Sequence, residues 1–173
     1  MDIPGKSEPA AVLPTHTLGL AALRTLLEPY GLRLESVADG ADIPGSYWGE
    51  SEAGLIGDTL YLRSDTPVHS VLHEASHYIC MDDARRAALH TNAHPQGDDI
   101  EENATCYLQC LLADRLAGYS RARCFQDMDA WGYHFLLGST LAWFERDAED
   151  ARAYLLRHGL IDECNRPTGR RRA

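Results

Sequence analysis

The residues with the clearest chemical potential lie in one short stretch, His73-Glu74-Ala75-Ser76-His77. Residues four apart on an α-helix share a face, with Cβ atoms about 5–6 Å apart, so His73 and His77 can bind one metal ion between them. Glu74 lies one position further round such a helix, where its carboxylate can reach a metal-bound water without being a ligand itself. The spacing therefore predicts a metal site with a general base beside it.

The sequence around this motif is typical of a half-buried helix. Four apolar residues recur at helical spacing and would bury the back of the helix: Val68, Leu72, Ala75 and Ile79. Upstream, Thr66-Pro67 is typical of an N-cap followed by proline at the first helical position. We expect a helix from about Pro67 to Met81.

His69 extends the series of histidines at four-residue spacing. Positions 69 and 77 are separated by about 12 Å along a helix axis, so one ion cannot bind all three imidazoles. The pair His73 and His77 is favoured because only its first member is followed directly by a glutamate. His69 is interpreted as a polar residue of the first helical turn or as a group behind the metal ligands.

A third ligand is expected further along the chain. A hydrolytic zinc site has three protein ligands and one open position for water, so two histidines predict another donor at the start of a helix packed on the first. Residues 98–104, with the sequence Asp-Asp-Ile-Glu-Glu-Asn-Ala, offer Glu101 or Glu102. His90 and His94, just before this segment, are alternative metal ligands. Asp98 and Asp99 could instead orient a ligating histidine through a hydrogen bond.

The two motifs together resemble the gluzincin group of zinc metallopeptidases. The resemblance covers roughly residues 55–115 and is to small bacterial members whose second motif is Glu-Ala-Asn-x-Phe-Ala-x-x-Leu-Leu. With Glu102 as that glutamate, the apolar positions of the motif fall on Cys106, Tyr107, Cys110 and Leu111. With Glu101, two of these positions fall on the polar Thr105 and Gln109. The resemblance therefore favours Glu102 over Glu101 as the third ligand.

This resemblance implies a zincin-like domain that hydrolyses peptide bonds. Such enzymes stabilise the oxyanion with a tyrosine, histidine or arginine from a later segment, and here Tyr133 or His134 would be that donor. An aromatic core helix is the alternative interpretation of these two residues. Two imidazoles and one carboxylate suit Zn²⁺ best, although manganese or iron could bind the same set.

Composition excludes several other classes. The net charge of −10 and the pI near 5.1 argue against a nucleic-acid-binding surface. No apolar targeting segment is present at the N-terminus, and the longest apolar stretch, 135–144, is too short to span a membrane. Five cysteines without a framework pattern favour a reduced, cytoplasmic compartment.

The expected fold class is α+β, a mainly helical zincin-like domain with a small β-sheet beside the helix of the first motif. Strands are predicted at 32–37, 55–56 and 59–63, the last two as a hairpin around Gly57-Asp58. Helices are predicted at 18–27, 67–81, 83–90, from Ile100 onward, at 128–144 and at 148–156. The predicted organisation is a disordered segment 1–14, one domain 15–160 and a flexible basic tail 161–173.

These observations predict a zinc peptidase acting on a peptide or protein substrate, with Glu74 activating the attacking water. A non-catalytic zinc-binding protein is a second possibility, with His94 or an acidic side chain closing a four-ligand shell. A helical regulatory or interaction domain, in which the motif is accidental, is a third. The substrate and the oligomeric state do not follow from the sequence.

Overall fold

The computed structural model describes residues 11–46, 51–89 and 97–173. Within these residues the α-helices are α1 (Leu20–Leu27), α2 (Val68–Cys80), α3 (Asp83–Ala87), α4 (Asp99–Ala113), α5 (Arg121–Trp131), α6 (Thr140–Arg146) and α7 (Glu149–Arg157). Short 3-10 helices at Thr15–Thr17 and Glu28–Tyr30 flank α1. Together with a small sheet they form an α+β fold, which confirms the predicted class at this level.

The sheet contains β1 (Arg33–Ser36), β2 (Gly54–Ile56) and β3 (Thr59–Leu62) in the order β1-β3-β2. β1 pairs with β3 in parallel, and β2 pairs with β3 antiparallel. The predicted hairpin is confirmed, since Gly57 joins β2 to β3 with a φ of +60°, where glycine carries no steric penalty. β2 is therefore an edge strand of the sheet. It forms the hairpin with β3, and β3 is followed in the chain by α2.

Helix α2 is the central element of the fold. The predicted apolar stripe Val68, Leu72, Ala75 and Ile79 is fully buried. α2 packs along α4 and also contacts β2, β3 and α5. Since neighbours cover most of its surface, the positions of its polar side chains are fixed by packing as well as by helix geometry.

The start of α2 differs by one residue from the prediction. Pro67 occupies the N-cap position with an extended backbone (φ −61°, ψ 140°), and the helix begins at Val68. The hydroxyl of Thr66 accepts a hydrogen bond from the Arg63 N–H at 2.9 Å. Thr66 therefore closes the turn before the helix and does not cap it, because a local turn competes for the same hydroxyl.

Helix α4 carries the second motif and packs between α2 and α7. Asp98 is its N-cap, and the Asp98 carboxylate accepts the backbone N–H of Glu101 at 2.8 Å. Asp98 thus serves helix initiation, and the neighbouring Asp99 is exposed. The apolar residues that recur along this helix are buried: Ala104, Tyr107, Leu108, Leu111 and Leu112.

The prediction of one continuous helix over 128–144 is wrong. The structure has two helices here, α5 and α6, which are separated by a loop at 132–139. Gly132 ends α5 with a φ of +103°, and Ser139 caps α6 by accepting the Ala142 N–H. The continuous apolar run hid this break, because exposed leucines in the loop have the same sequence signature as buried ones. Leu136, for example, is 97% exposed.

The C-terminal segment 161–173 does not behave as the predicted free basic tail. The Arg172 N–H donates to the carbonyl of Ile79 at 2.9 Å, and its guanidinium pairs with Glu101 at 3.2 Å. Arg171 donates to the Tyr78 hydroxyl at 2.8 Å. The arginines that suggested a solvated tail instead attach the end of the chain to α2 and α4.

The start of the chain is ordered earlier than predicted. Residues 1–10 lie outside the described part, but the predicted disorder does not extend to 11–14. The carbonyl of Leu13 accepts the Val68 N–H at 2.9 Å, and Pro14 pairs with Pro67 in an isolated bridge. These bonds satisfy backbone groups at the start of α2, which explains the order of this segment.

All five cysteines are free, as expected, with Cys164 exposed and the others buried. Among the residues that the structure describes, no helix has the length and apolar character needed to cross a membrane.

Candidate metal centre

Helix α2 brings the three residues of the first motif to one place. The rings of His73 and His77 lie edge to face with their centroids 4.6 Å apart. A carboxylate oxygen of Glu74 and one ring nitrogen from each histidine lie within 4.8 Å of one another. His77 is buried, whereas His73 and Glu74 are partly accessible. The predicted geometry of the motif is therefore present on a single helix.

Glu102 of α4 faces both imidazoles. One carboxylate oxygen is 3.4 Å from His73 Nε2, and the other is 3.3 Å from His77 Nε2. Ligand atoms at the corners of a tetrahedron around zinc, bound at about 2.0–2.2 Å, lie about 3.4 Å apart. The distances from Glu102 to the two imidazoles, each measured to a different carboxylate oxygen, are close to this value, and the Glu102 side chain remains half exposed.

Glu101, the alternative ligand, is placed in a different environment. Its carboxylate accepts two hydrogen bonds from the Arg85 guanidinium, at 2.8 and 2.6 Å. It also accepts bonds from Tyr154 Oη and from Arg172. Successive residues of a helix point about 100° apart, so when Glu102 faces α2 its neighbour must face elsewhere. The structure brings Glu102, and not Glu101, to the histidines.

Gln109 fixes the orientation of His73 and was missed by the sequence analysis. Its side-chain NH₂ donates to the carbonyl of His69 at 2.8 Å, so its oxygen faces His73 Nδ1 at 3.0 Å. That oxygen can only accept, so Nδ1 must carry the hydrogen and Nε2 keeps its lone pair for a metal. The signal available in the sequence was a glutamine within the apolar pattern of α4. In the structure this glutamine is fully buried.

Cys106 lies beside His73 and Glu102, although its sequence context favoured a core residue over a metal ligand. Its sulfur, a ring nitrogen of His73 and a carboxylate oxygen of Glu102 lie within 4.8 Å of one another. Burial raises the pKa of the Cys106 thiol, although a hydrogen bond with His73 opposes this. In the sequence, the i, i+4 spacing of Cys106 and Cys110 allowed metal binding, but small apolar residues of the core were the favoured interpretation.

A cavity of about 190 Å³ opens beside these residues. Its described lining consists of Glu52, His69, Ser70, His73, Glu74, Trp131 and Tyr133. The indole N–H of Trp131 donates to the Glu52 carboxylate at 3.3 Å. The cavity therefore joins the general-base candidate Glu74 to polar groups from the segment before β2 and from α5.

Of the two candidate oxyanion donors, Tyr133 reaches this cavity. Its ring lies edge to face against both His69 and His73, with centroids 5.7 Å apart in each case. Burial raises the pKa of the Tyr133 phenol above its ordinary value, with His73 acting in the opposite direction. The phenol is therefore a neutral hydrogen-bond donor at physiological pH. His134 is exposed and is not part of the cavity lining.

His69 is fully buried, in contrast to the polar first-turn residue that the sequence suggested. Its ring packs against Trp131 with centroids 5.3 Å apart. Burial lowers the pKa of His69 to about 3, so the imidazole is neutral. Neither ring nitrogen has a hydrogen-bond partner within the described structure.

His90 and His94, the alternative ligands considered from the sequence, lie outside the described residues.

Comparisons of the chain with models of protein families, with curated proteins and with solved structures found no match.

Proposed function

We propose that this chain is a zinc-dependent peptidase with its active site at the α2–α4 junction. The observation that supports it best is the placement of the Glu102 carboxylate, 3.4 Å from His73 Nε2 and 3.3 Å from His77 Nε2. Glu74, on the same helix, borders an adjoining cavity. Three ligands of this type with a nearby carboxylate are the arrangement used for metal-assisted hydrolysis.

The donor set fits zinc. His73 and His77 offer imidazole nitrogens and Glu102 a carboxylate, which match the borderline character of Zn²⁺. Gln109 supports the His73 tautomer that binds metal through Nε2. When bound, zinc would supply a Lewis acid that lowers the pKa of an attached water and polarises the substrate carbonyl.

The remaining chemistry is assigned to side chains of the chain itself. Glu74 accepts the proton of the attacking water and passes it to the leaving amine, so the same carboxylate serves as base and then as acid. Tyr133 donates its phenol hydrogen to the carbonyl oxygen as negative charge develops there. Both groups border one cavity, so a peptide placed in it contacts both.

The test combines metal content with hydrolysis. Wild-type protein should contain one zinc per chain by elemental mass spectrometry, and His77→Ala should lose it. Zinc-loaded wild type should cleave members of a peptide library, and Glu74→Gln should retain zinc but lose activity. Absence of zinc after reconstitution, or undiminished cleavage by Glu74→Gln, would contradict the proposal.

Cys106 supports a second candidate, a zinc-binding protein without hydrolytic activity. If its sulfur became the fourth ligand, the shell would be closed and no position would remain for water. Cobalt-substituted protein distinguishes the two, because a thiolate ligand gives intense near-ultraviolet absorption. Loss of that absorption in Cys106→Ser, but not in the matched variant Cys110→Ser, would favour the non-catalytic candidate. Absence of the absorption in the wild type would favour the peptidase.

A further inference from the structure

The cavity beside the metal centre contains polar groups that the proposed hydrolysis does not use. Glu52 enters it from the segment before β2, and His69 and Ser70 enter it from the first turn of α2. These three side chains lie on the same cavity as His73 and Glu74. They are therefore placed to contact a part of the substrate next to the bond that is cleaved.

His69 shows that this cavity is built for a polar ligand. The residue is fully buried, yet both ring nitrogens are without a hydrogen-bond partner in the described structure. A buried polar atom left without a partner costs roughly 1–3 kcal/mol, so such atoms are normally satisfied. A neutral imidazole presents one N–H and one lone pair. His69 lines the cavity, so a donor held there is a candidate partner for this lone pair.

The charge of the cavity defines the donor further. Its described lining contains two carboxylates, Glu52 and Glu74, and neither lysine nor arginine. Glu52 receives the Trp131 indole N–H at 3.3 Å, which orients the carboxylate without neutralising it. The Ser70 hydroxyl accepts the Ala53 N–H at 3.0 Å and has a second lone pair available. A cationic ligand with several N–H groups suits these surroundings best.

We propose that Glu52, His69 and Ser70 form a binding site for a primary ammonium group of the substrate. An ammonium has three N–H donors, and the three side chains supply a carboxylate, an imidazole nitrogen and a hydroxyl to accept them. A space of 190 Å³ is about 7 Å across if spherical, which is enough for one such group beside these side chains and for a water molecule. The role of this site in substrate selection rests on the proposed peptidase function.

A direct binding measurement tests the site without requiring hydrolysis. Trp131 borders the cavity, so its fluorescence should change when n-butylammonium is titrated into the full-length protein. The isosteric neutral 1-butanol should bind at least tenfold more weakly. Alaninamide should be compared with N-acetyl-alaninamide in the same way. The first pair represents a lysine side chain and the second an α-amine, so together they identify the source of the ammonium group.

Variants assign the binding to the proposed residues. Glu52→Gln should weaken ammonium binding at least tenfold, and His69→Phe should weaken it while preserving an aromatic ring. Glu145→Gln removes the same charge from an exposed side chain and should leave binding unchanged. Zinc-loaded and metal-free protein should give the same dependence on Glu52, which excludes coordination of the amine to the metal. Equal binding of n-butylammonium by wild type and Glu52→Gln would overturn the proposal.

Peptide cleavage separates this inference from the proposed function. Matched peptides with lysine or norleucine near the scissile bond, each with a free or acetylated N-terminus, should be cleaved at different rates by wild type, and Glu52→Gln should reduce the difference. If all four are cleaved alike, the ammonium site is wrong and the peptidase function stands. If ammonium binds but no peptide is cleaved, the site stands and the peptidase function fails.

Discussion

The Gln109 side chain favours the one tautomer of the His73 imidazole that suits a metal ligand. Gln109 cannot rotate its amide without placing its oxygen against the His69 carbonyl, so it presents an acceptor to His73 Nδ1. This arrangement leaves Nε2, on the side that faces Glu102, as the nitrogen that a metal can use. A single buried amide thus decides which nitrogen is available to a metal, because hydrogen bonds to one ring nitrogen determine the state of the other.

Replacing Gln109 by leucine tests this control at the residue scale. Gln109→Leu keeps the approximate side-chain volume but removes the acceptor at His73 Nδ1, so zinc affinity should fall about 10- to 100-fold. Competition with a chromophoric chelator measures the affinity. Gln126→Leu makes the same change at an exposed position and should bind zinc like the wild type. Unchanged affinity in Gln109→Leu would show that the hydrogen bond does not tune the site.

Tyr133 and His134 are adjacent in sequence but are expected to differ sharply in their effect on catalysis. Tyr133→Phe removes a neutral donor at the cavity and should lower kcat by about 100- to 1000-fold with little change in KM. His134→Ala should leave both constants near wild type because its side chain is exposed. Steady-state kinetics on one cleaved peptide measures both. A larger effect from His134→Ala would reverse the assignment.

At the scale of elements, two adjacent glutamates of α4 serve different neighbours. Glu102 faces the histidines of α2, whereas Glu101 joins Arg85 after α2, Tyr154 of α7 and the C-terminal Arg172. The buried Glu101 carboxylate therefore fixes the rotation of α4 about its axis. This rotation determines where Glu102 points, together with the capping hydrogen bond in which the Asp98 carboxylate accepts the Glu101 N–H.

The two glutamates should consequently have separable effects. Glu101→Gln should lower the free energy of unfolding by about 2–3 kcal/mol, slightly less than for a fully buried ion pair because Arg85 and Arg172 are partly exposed. It should retain one zinc per chain. Glu102→Gln should weaken zinc binding while leaving the stability of the metal-free protein nearly unchanged. Urea unfolding and zinc titration of both variants provide the measurements, and loss of zinc in Glu101→Gln alone would contradict the assignment.

At the scale of the whole molecule, the two ends of the described chain close on the elements that carry the site. Residues 11–14 bond to the start of α2, and Arg172 bonds to its C-terminal end through the Ile79 carbonyl. Arg172 also contacts Glu101, one position before the proposed ligand. The net charge of −10 adds a long-range effect, because a negative field would attract a cationic substrate toward the cavity.

Removing the C-terminal contact should destabilise the molecule. Arg172→Ala eliminates the guanidinium bonds to Glu101 and Tyr154, so the melting temperature should fall by about 4–8 °C, equivalent to about 2 kcal/mol for a chain of this size. Arg170→Ala removes the same charge from an exposed side chain and should change the melting temperature by less than about 1 °C. Equal melting temperatures for the two variants, measured by circular dichroism, would mean that the segment adds no stability.

Patterns that depend on near neighbours were readable from the sequence. The stripe of α2, the hairpin at Gly57 and the shared face of His73 and His77 follow from local periodicity and turn chemistry, and the structure has all three. The break near Gly132 was not read correctly, because an apolar run does not reveal which of its leucines are exposed.

The tertiary structure alone decided which polar groups meet. The sequence offered Glu101 or Glu102 as the third donor and the resemblance favoured Glu102, but the rotation of α4 against α2 is what places Glu102, and not Glu101, beside the histidines. The same holds for Gln109, the buried His69 and the docked Arg172. Gln109 faces His73, 36 residues away, Trp131 packs against His69, and Arg172 pairs with Glu101, 71 residues away. Helix periodicity fixes the direction of a side chain relative to its own axis. The neighbour that it contacts depends on how helices far apart in sequence pack, which no local pattern contains.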